Sequence, residues 1–313
     1  MGDRLTLSPR AYTGVALVAL GMLVLIVFSG AGVRLTGSGL GCPDWPRCGG
    51  TFTPELSTHV AIEYGNRMLS ALVGVSCVAA GLLVFRVRPF RPELVWPALV
   101  IAFGVVAQGL LGAATVLLDL KWQVVIAHYL LSMVLLTAAG VLVWRAMRWT
   151  GTATDRPVTL AARVLVALGG AVIVAGTLAT AAGPHAGGAG TGDVVERLDA
   201  FGATTLKTLI YVHGHAAAVL GGVAVLVWLF AWRRGASRPL MLSLTAVCVL
   251  MAVQGTVGLI QYHNALPAEV VWVHASLPAV MWVTLVWSWT AAGRPEPAVA
   301  AEPARVHAGV PTG

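Results

Sequence analysis

The sequence predicts an all-α membrane protein in which eight transmembrane helices form two four-helix bundles related by a parallel repeat. Three observations support this prediction: the composition, the number of long apolar segments, and a match between the two halves of the chain. Of the 313 residues, 58% are hydrophobic and 11% are charged, and the mean hydropathy is +0.83. Soluble domains carry far more charge, so we expect a polytopic membrane protein.

Eight segments are each long and apolar enough to cross roughly 30 Å of hydrocarbon. A backbone inside a bilayer must satisfy its own hydrogen bonds, so these segments should be helices. The first segment also resembles a signal peptide with a small-residue site at Ser29-Gly30-Ala31, but its apolar run is too long and we expect a retained helix. The segments lie near residues 12–31, 63–85, 94–118, 123–145, 160–181, 206–232, 239–260 and 270–292.

Basic residues are distributed unevenly between the two sides of the predicted membrane. Fourteen of the twenty Lys and Arg residues flank one set of helix ends, beginning with Arg4 and Arg10 and ending with Arg294 and Arg305. The positive-inside rule therefore places both termini in the cytoplasm. The net charge of +7 follows from this orientation, so we expect contact with membrane lipid and no binding of nucleic acid.

The two halves of the chain match without a gap over 24 positions. The segment from Gln108 lies over the segment from Gln254 at a constant offset of 146, with 8 identities that include His128 over His274. Four helices per copy is an even number, so both copies have the same orientation. We expect a first bundle over 12–148, a cytoplasmic linker over 149–159, a second bundle over 160–292 and a disordered cytoplasmic tail over 293–313.

Three histidines lie inside predicted helices, about four to seven residues from the outer ends: His128, His213 and His274. An imidazole in hydrocarbon is costly, and it has either a partner across a helix pair or a function. Facing helices of a bundle present axial ligands to heme in this way, and no compact set of zinc ligands is visible. We predict that His213 and His274 bind one heme iron from both sides. His215, roughly 200° further around the helix, is the alternative ligand.

The first half has different residues at the equivalent place. Asn66 takes the position of His213, opposite His128, and Glu63 lies one turn outward on the same helix face. A closed six-coordinate site suits electron transfer, whereas a site with one strong ligand leaves room for chemistry. Glu63 is therefore the candidate catalytic residue. Alternatively, Glu63 only pairs with Arg67, four residues later, near the membrane surface.

Other polar residues near the outer face have two interpretations each. Arg67, Lys121 and Lys207 lie where heme propionates would emerge, and each also suits an interfacial anchor. Cys42 and Cys48 share one Pro/Gly-rich outer loop, where a disulfide is permitted. That disulfide would either staple the loop over the first bundle or take part in thiol exchange.

These residues together resemble a known family, heme A synthase. The segments that carry the resemblance are RLTGSGLGCPDWP from Arg34, QGLLGAATV from Gln108 and AAGPHAG from Ala181, with the glutamate and histidines described above. The resemblance covers nearly all of residues 12–292. It implies an enzyme that oxidises the C8 methyl group of heme O to the formyl group of heme A, the cofactor of cytochrome oxidase. It also implies heme b as an electron-transfer cofactor in the second bundle and the substrate heme in the first.

The resemblance implies roles for individual residues as well. His213 and His274 would ligate heme b, His128 would ligate the substrate heme, and Glu63 would be the catalytic carboxylate. The two loop cysteines would form a disulfide.

The chain departs from the family at one position. The pattern at the start of the second helix is usually Glu-x-x-His-Arg, and here Asn66 replaces the histidine. The substrate heme would then be held by His128 alone or with the help of another group such as His59.

An enzyme is thus the leading hypothesis, and a diheme b-type electron carrier that leaves heme unmodified is the alternative. A heme O synthase is a candidate partner, and the sequence does not decide whether the two proteins bind each other. The absence of a transit peptide favours a bacterial plasma membrane over a mitochondrion. The sequence does not identify the electron acceptor or the oligomeric state.

Overall fold

The computed structural model describes residues 6–147 and 155–293. Within these ranges the chain forms eight α-helices, each long and apolar enough to cross a membrane. Their bounds are α1 Pro9–Leu35, α2 Thr58–Leu83, α3 Val95–Leu117, α4 Trp122–Ala146, α5 Arg156–Ala182, α6 Thr205–Arg233, α7 Arg238–His263 and α8 Ala268–Ala292. The predicted all-α class with eight spans is confirmed. The predicted tail beyond residue 293 and most of the predicted linker lie outside the described residues.

Two helix starts differ from the predicted ones by four or more residues. Helix α2 begins at Thr58 rather than at residue 63, so Glu63 lies more than one turn inside the helix. Helix α5 begins at Arg156, so the predicted linker is wrong over 156–159, which are helical. Asp155 is the N-cap and Pro157 lies in the first turn, where its fixed φ and missing N–H favour a helix start.

The first four helices form a closed ring. Each contacts the next, and α4 returns to contact α1. The interior is filled by buried apolar side chains, among them Ile101, Leu136 and Leu142. The buried hydroxyl of Tyr12 donates a hydrogen bond to the carbonyl of Ala80 (2.9 Å), which ties α1 to α2. This ring places α2 and α4 on opposite sides of a shared interior.

The last four helices form a second ring with the same order of contacts, and α5 closes it against α8. One hydrogen bond occurs in both rings. The hydroxyl of Thr13 donates to the carbonyl of Ala146 (3.2 Å), and that of Thr159 donates to the carbonyl of Ala292 (3.2 Å). These pairs are separated by the 146-residue offset of the sequence repeat. The inner ends of α1 and α4 therefore pack as those of α5 and α8 do.

Helix α8 also joins the two rings, because it packs against α1 and α4 as well as its own neighbours. Tryptophans on α8 donate their indole N–H groups to backbone carbonyls of the first ring. These bonds join Trp272 to Phe28 (2.9 Å), Trp282 to Met133 (3.0 Å) and Trp287 to Gly140 (3.0 Å). The orientation of α8 is thereby fixed relative to α4.

The α1–α2 and α5–α6 loops are hydrogen-bonded to each other. Gly190 donates its N–H to the carbonyl of Gly37 (3.1 Å). Gly37 has φ +67°, and a Cβ there would collide with the Gly190 backbone, so this crossing requires glycine. Arg34 at the end of α1 donates to the carbonyl of His185 (2.8 Å). His185 in turn donates to the carbonyl of Leu266 (2.9 Å) in the α7–α8 loop.

Candidate heme sites

The two predicted heme b ligands face each other across the second ring. The ring centres of His213 on α6 and His274 on α8 are 6.0 Å apart, and the ring planes are at 89°. An imidazole nitrogen binds a metal at about 2 Å, so two imidazoles on opposite sides of one iron have centres roughly 6 Å apart. The spacing therefore fits an iron held from both sides. Among the described residues no group of three His, Cys, Asp or Glu side chains could hold a metal, whereas heme needs only two protein ligands.

Helix α5 orients the ring of His213. The Nδ1 atom lies 3.1 Å from the carbonyl oxygen of Val172, to which it donates as Nδ1–H. This leaves Nε2 as the free ligating nitrogen, which is the usual arrangement of metal-binding histidines. One turn further along α5, a Cβ at Gly176 would lie 2.9 Å from Cε1 of His213. The ring thus lies directly against the α5 backbone.

Helix α7 orients His274 in a related way. The amide of Gln254 donates from Nε2 to the backbone carbonyl of His274 (2.6 Å). One turn along α7, a Cβ at Gly258 would lie 3.1 Å from Cε1 of His274. The histidine is therefore constrained at its main chain and at its ring.

His215, the alternative ligand, has a different environment. Its ring is exposed, its Nδ1 contacts the carbonyl of Tyr211 (2.7 Å), and it stacks on the Tyr211 ring. It makes no ring contact with His274 comparable to that of His213.

The first ring repeats the arrangement around His128. Gln108 on α3 donates from Nε2 to the carbonyl of His128 (2.8 Å) and to the hydroxyl of Ser132 (2.7 Å). A Cβ at Gly112 would lie 3.2 Å from Cε1 of His128. The Nδ1 atom of His128 is buried without a hydrogen-bond partner in the described part of the chain. Nδ1 of His274 is in the same condition, so the two histidines aligned by the repeat have similar environments.

Glu63 and Arg67 form an ion pair beneath the first outer loop. Arg67 Nε lies 3.0 Å from Glu63 Oε1, and the two side chains are 13% and 7% exposed. The remaining guanidinium nitrogens donate to three loop carbonyls, those of Cys42 (2.8 Å), Asp44 (2.7 Å) and Arg47 (2.8 Å). The guanidinium therefore connects the carboxylate to the loop, and the predicted pair of Glu63 with Arg67 is present.

This loop is closed by the predicted disulfide between Cys42 and Cys48, which is present with Cα atoms 4.6 Å apart. Inside the loop, the carboxylate of Asp44 accepts hydrogen bonds from the N–H groups of Gly49 (2.6 Å) and Gly50 (2.9 Å). These backbone donors, with Gly50 first, hold the pKa of Asp44 below its ordinary value, and the nearby guanidinium adds to the effect. The loop is thus internally bonded and anchored on α2.

The other predicted residues lie around these groups. Asn66 is half-buried on α2, and its Oδ1 is buried with no hydrogen-bond partner among the described residues. The Nδ1 atom of His59 is hydrogen-bonded to the hydroxyl of Ser38 (2.8 Å). His59 therefore contacts the loop that joins α1 to α2. Lys121 and Lys207 are exposed at the outer ends of α4 and α6.

Four residues that hold the histidines were not predicted as functional: Gln108 and Gln254 with Gly112 and Gly258. A signal for them exists, because both pairs are identical between the two halves at the 146-residue offset. The glutamines act through hydrogen bonds to the histidine carbonyls on the next helix. The sequence repeat shows that the glutamines match, but it does not show which carbonyl each one contacts.

Comparison with known proteins places the chain in a family. The family model COX15-CtaA, cytochrome oxidase assembly protein, matches residues 13–286. Proteins named heme A synthase are similar to parts of the chain. That of Symbiobacterium thermophilum is 39% identical over 131 residues, which is 42% of this chain and 43% of that protein. That of Bacillus licheniformis is 28% identical over 126 residues, 40% and 42% of the two chains.

A third such protein, from Lysinibacillus sphaericus, is 32% identical over 114 residues, 36% of this chain and 37% of its own length. The chain therefore matches about two fifths of the length of these curated relatives. The family model, in contrast, spans all eight helices and includes every histidine and carboxylate described above. The chain belongs to the COX15-CtaA family of cytochrome oxidase assembly proteins.

Proposed function

We propose that the chain is a heme A synthase, which oxidises the C8 methyl group of heme O to a formyl group. The observation that supports this most strongly is the difference between two otherwise equivalent rings. One has two imidazoles at the spacing of a doubly ligated iron. The other has His128, an asparagine at the sequence position that corresponds to His213, and a buried carboxylate. The similarity to proteins named heme A synthase agrees with this interpretation.

In this proposal the second half, residues 160–292, holds the cofactor heme b between His213 and His274. Heme b, held there by His213 and His274, would supply electron transfer. The helices α5 and α7 hold the imidazole groups of His213 and His274 in place. The hydrogen bond from His213 to Val172 (3.1 Å) keeps the proton on Nδ1 and directs Nε2 to the iron.

The first half, residues 12–148, binds the substrate heme O through His128. Asn66 takes the position that corresponds to His213, so this half lacks the second imidazole found in the other half. Glu63 is the catalytic carboxylate and moves a proton near the methyl group. Arg67 acts as a positioning residue, because it bonds Glu63 and three loop carbonyls at once. The disulfide keeps those carbonyls together.

We place the protein in a bacterial plasma membrane with both termini in the cytoplasm and both heme sites toward the outer face. The basic residues at the helix ends support this orientation, and the relatives are bacterial. Heme O is delivered by a heme O synthase, and the electrons pass to an acceptor outside this chain.

A direct test is to express the chain with a heme O synthase in a host that makes no heme A. The extracted pigments are then separated by chromatography. The proposal predicts heme A in extracts from cells with the intact chain and only heme O and heme b without it. The alternative function, a diheme carrier, predicts heme b in the purified protein and no heme A in any extract.

A further inference from the structure

A glycine on the preceding helix lies under each of the three heme-site histidines. A Cβ at Gly112 would be 3.2 Å from Cε1 of His128, and one at Gly258 would be 3.1 Å from Cε1 of His274. These distances are shorter than ordinary van der Waals contacts, so any larger residue would push the ring away. We call this combination of an imidazole and the bare backbone beneath it a ring seat. The third seat pairs Gly176 with His213 (2.9 Å).

The three seats follow one rule of placement. The glycine is on an odd-numbered helix, and the imidazole is on the next helix along the chain, in the pairs α3–α4, α5–α6 and α7–α8. In the remaining pair, α1–α2, Gly30 on α1 corresponds to the glycine and Asn66 on α2 corresponds to the histidine. Gly30 aligns with Gly176 at the 146-residue offset. The same offset relates the bonds from Thr13 and Thr159 on these two helices.

The fourth seat differs from the other three because no ring fills it. A Cβ added to Gly30 would meet no described atom within 4 Å. Asn66 has a shorter side chain than histidine, and its buried Oδ1 accepts no hydrogen bond from the described residues. A buried acceptor without a donor from the described residues can accept a hydrogen bond from a bound molecule. The repeat assigns Gly30 and Asn66 to the α1–α2 pair, at the positions that Gly176 and His213 hold in the α5–α6 pair.

We propose that Gly30 and Asn66 form a vacant ring seat that takes a small hydrogen-bonding molecule in place of a protein ligand. The inference rests on the proposed function, since the seat faces the substrate heme bound to His128. A small molecule there would lie against the Gly30 backbone and donate a hydrogen bond to Oδ1 of Asn66. The presence of asparagine instead of histidine at position 66 thus leaves space beside the substrate heme, although the first ring has the same fold as the second.

Free imidazole is a suitable probe because it has the shape of the absent side chain. The purified protein is reconstituted with hemin, and imidazole is added while the absorption spectrum and low-temperature electron paramagnetic resonance are recorded. We expect the His128-dependent heme to change from high spin to low spin, while the heme held by His213 and His274 keeps its spectrum. Gly30→Leu fills the seat and should abolish the change. Gly21→Leu is the matched control on the same helix, because Gly21 is exposed and has open space around it.

A second variant tests the seat without adding bulk to α1. Asn66→His should place a ring over Gly30 and make the His128-dependent heme low-spin without added imidazole. Adding Gly30→Leu to this variant should restore the high-spin form. A spectrum of Asn66→His identical to that of the unaltered protein, together with no response to imidazole, would show that the space is not a ligand seat. Hemin binding that does not depend on His128 in any variant would instead contradict the proposed function itself.

Discussion

The rings of His213 and His274 lie 6.0 Å apart and nearly perpendicular across the second ring of helices. If they hold heme b, replacement of either by alanine removes one of two axial ligands. We expect His213→Ala and His274→Ala to lose most of the bound heme b or to convert the remainder from low to high spin, as measured by absorption and paramagnetic resonance. His215→Ala is the matched control two residues from His213. A spectral change in His215→Ala with none in His213→Ala would show that the ligand assignment is wrong.

Arg67→Ala should destabilise the protein more than the loss of an exposed ion pair. The change leaves the buried carboxylate of Glu63 without its partner and frees three loop carbonyls. Breaking a buried pair from one side typically costs about 3–5 kcal/mol. Thermal unfolding in detergent measures the effect.

Arg234→Ala is the control for that measurement, because Arg234 pairs with Asp155 at the surface, where the side chains are 50% and 36% exposed. An exposed pair contributes about 0–1 kcal/mol. Equal shifts for the two variants would argue against Arg67 as the anchor of the loop.

Cys42→Ser should release the first outer loop from α2. Loss of a disulfide that closes a short loop costs roughly 2 kcal/mol in the chain-entropy account, and the loop carbonyls would no longer converge on Arg67. Cys48 is buried in the intact loop. We expect it to react with a membrane-impermeant maleimide in Cys42→Ser but not in the unaltered, non-reduced protein. Equal labelling of both proteins would mean that the disulfide does not form.

Acidification should loosen the same loop through Asp44. The two glycine N–H groups hold the pKa of this carboxyl below its ordinary value of 3.8. A depressed pKa in the folded state means that the stabilisation is complete above about 3.8 and is lost as the pH falls through the lower folded value. Trp45 is adjacent and exposed, so the fluorescence difference between the unaltered protein and Trp45→Phe should report the transition. Asp44→Asn should remove the pH dependence, and an unchanged titration in that variant would assign it to another group.

The sequence predicts the helices well because a bilayer leaves the backbone no alternative to helical hydrogen bonding. It also predicts that His213 and His274 approach each other, since both lie at similar depth in helices of the same predicted bundle. The disulfide is predicted by two cysteines in one short loop. In each case a local pattern or a repeat contains the information.

Other features depend on contacts between distant residues that no pattern encodes. Arg67 was predicted near heme propionates or as an anchor, but its donors reach Cys42, Asp44 and Arg47 because the loop folds back over α2. Gln254 looks like an ordinary polar residue in a helix until its contact with the His274 carbonyl is known. Helix α2 begins five residues before the predicted start, because it extends through Thr58 and His59 beyond the end of the apolar segment.

The central claim is that the first half is catalytic and that Glu63 takes part in the oxidation. The most direct test is the ratio of heme A to heme O in cells that express Glu63→Gln with a heme O synthase. Glutamine keeps the size of the side chain and removes its capacity for proton transfer, and general acid–base contributions are typically about 10²- to 10⁴-fold. We predict a folded protein with an unchanged heme b spectrum that accumulates heme O and makes almost no heme A. Near-normal heme A from Glu63→Gln would contradict the claim and would leave Glu63 as a structural partner of Arg67.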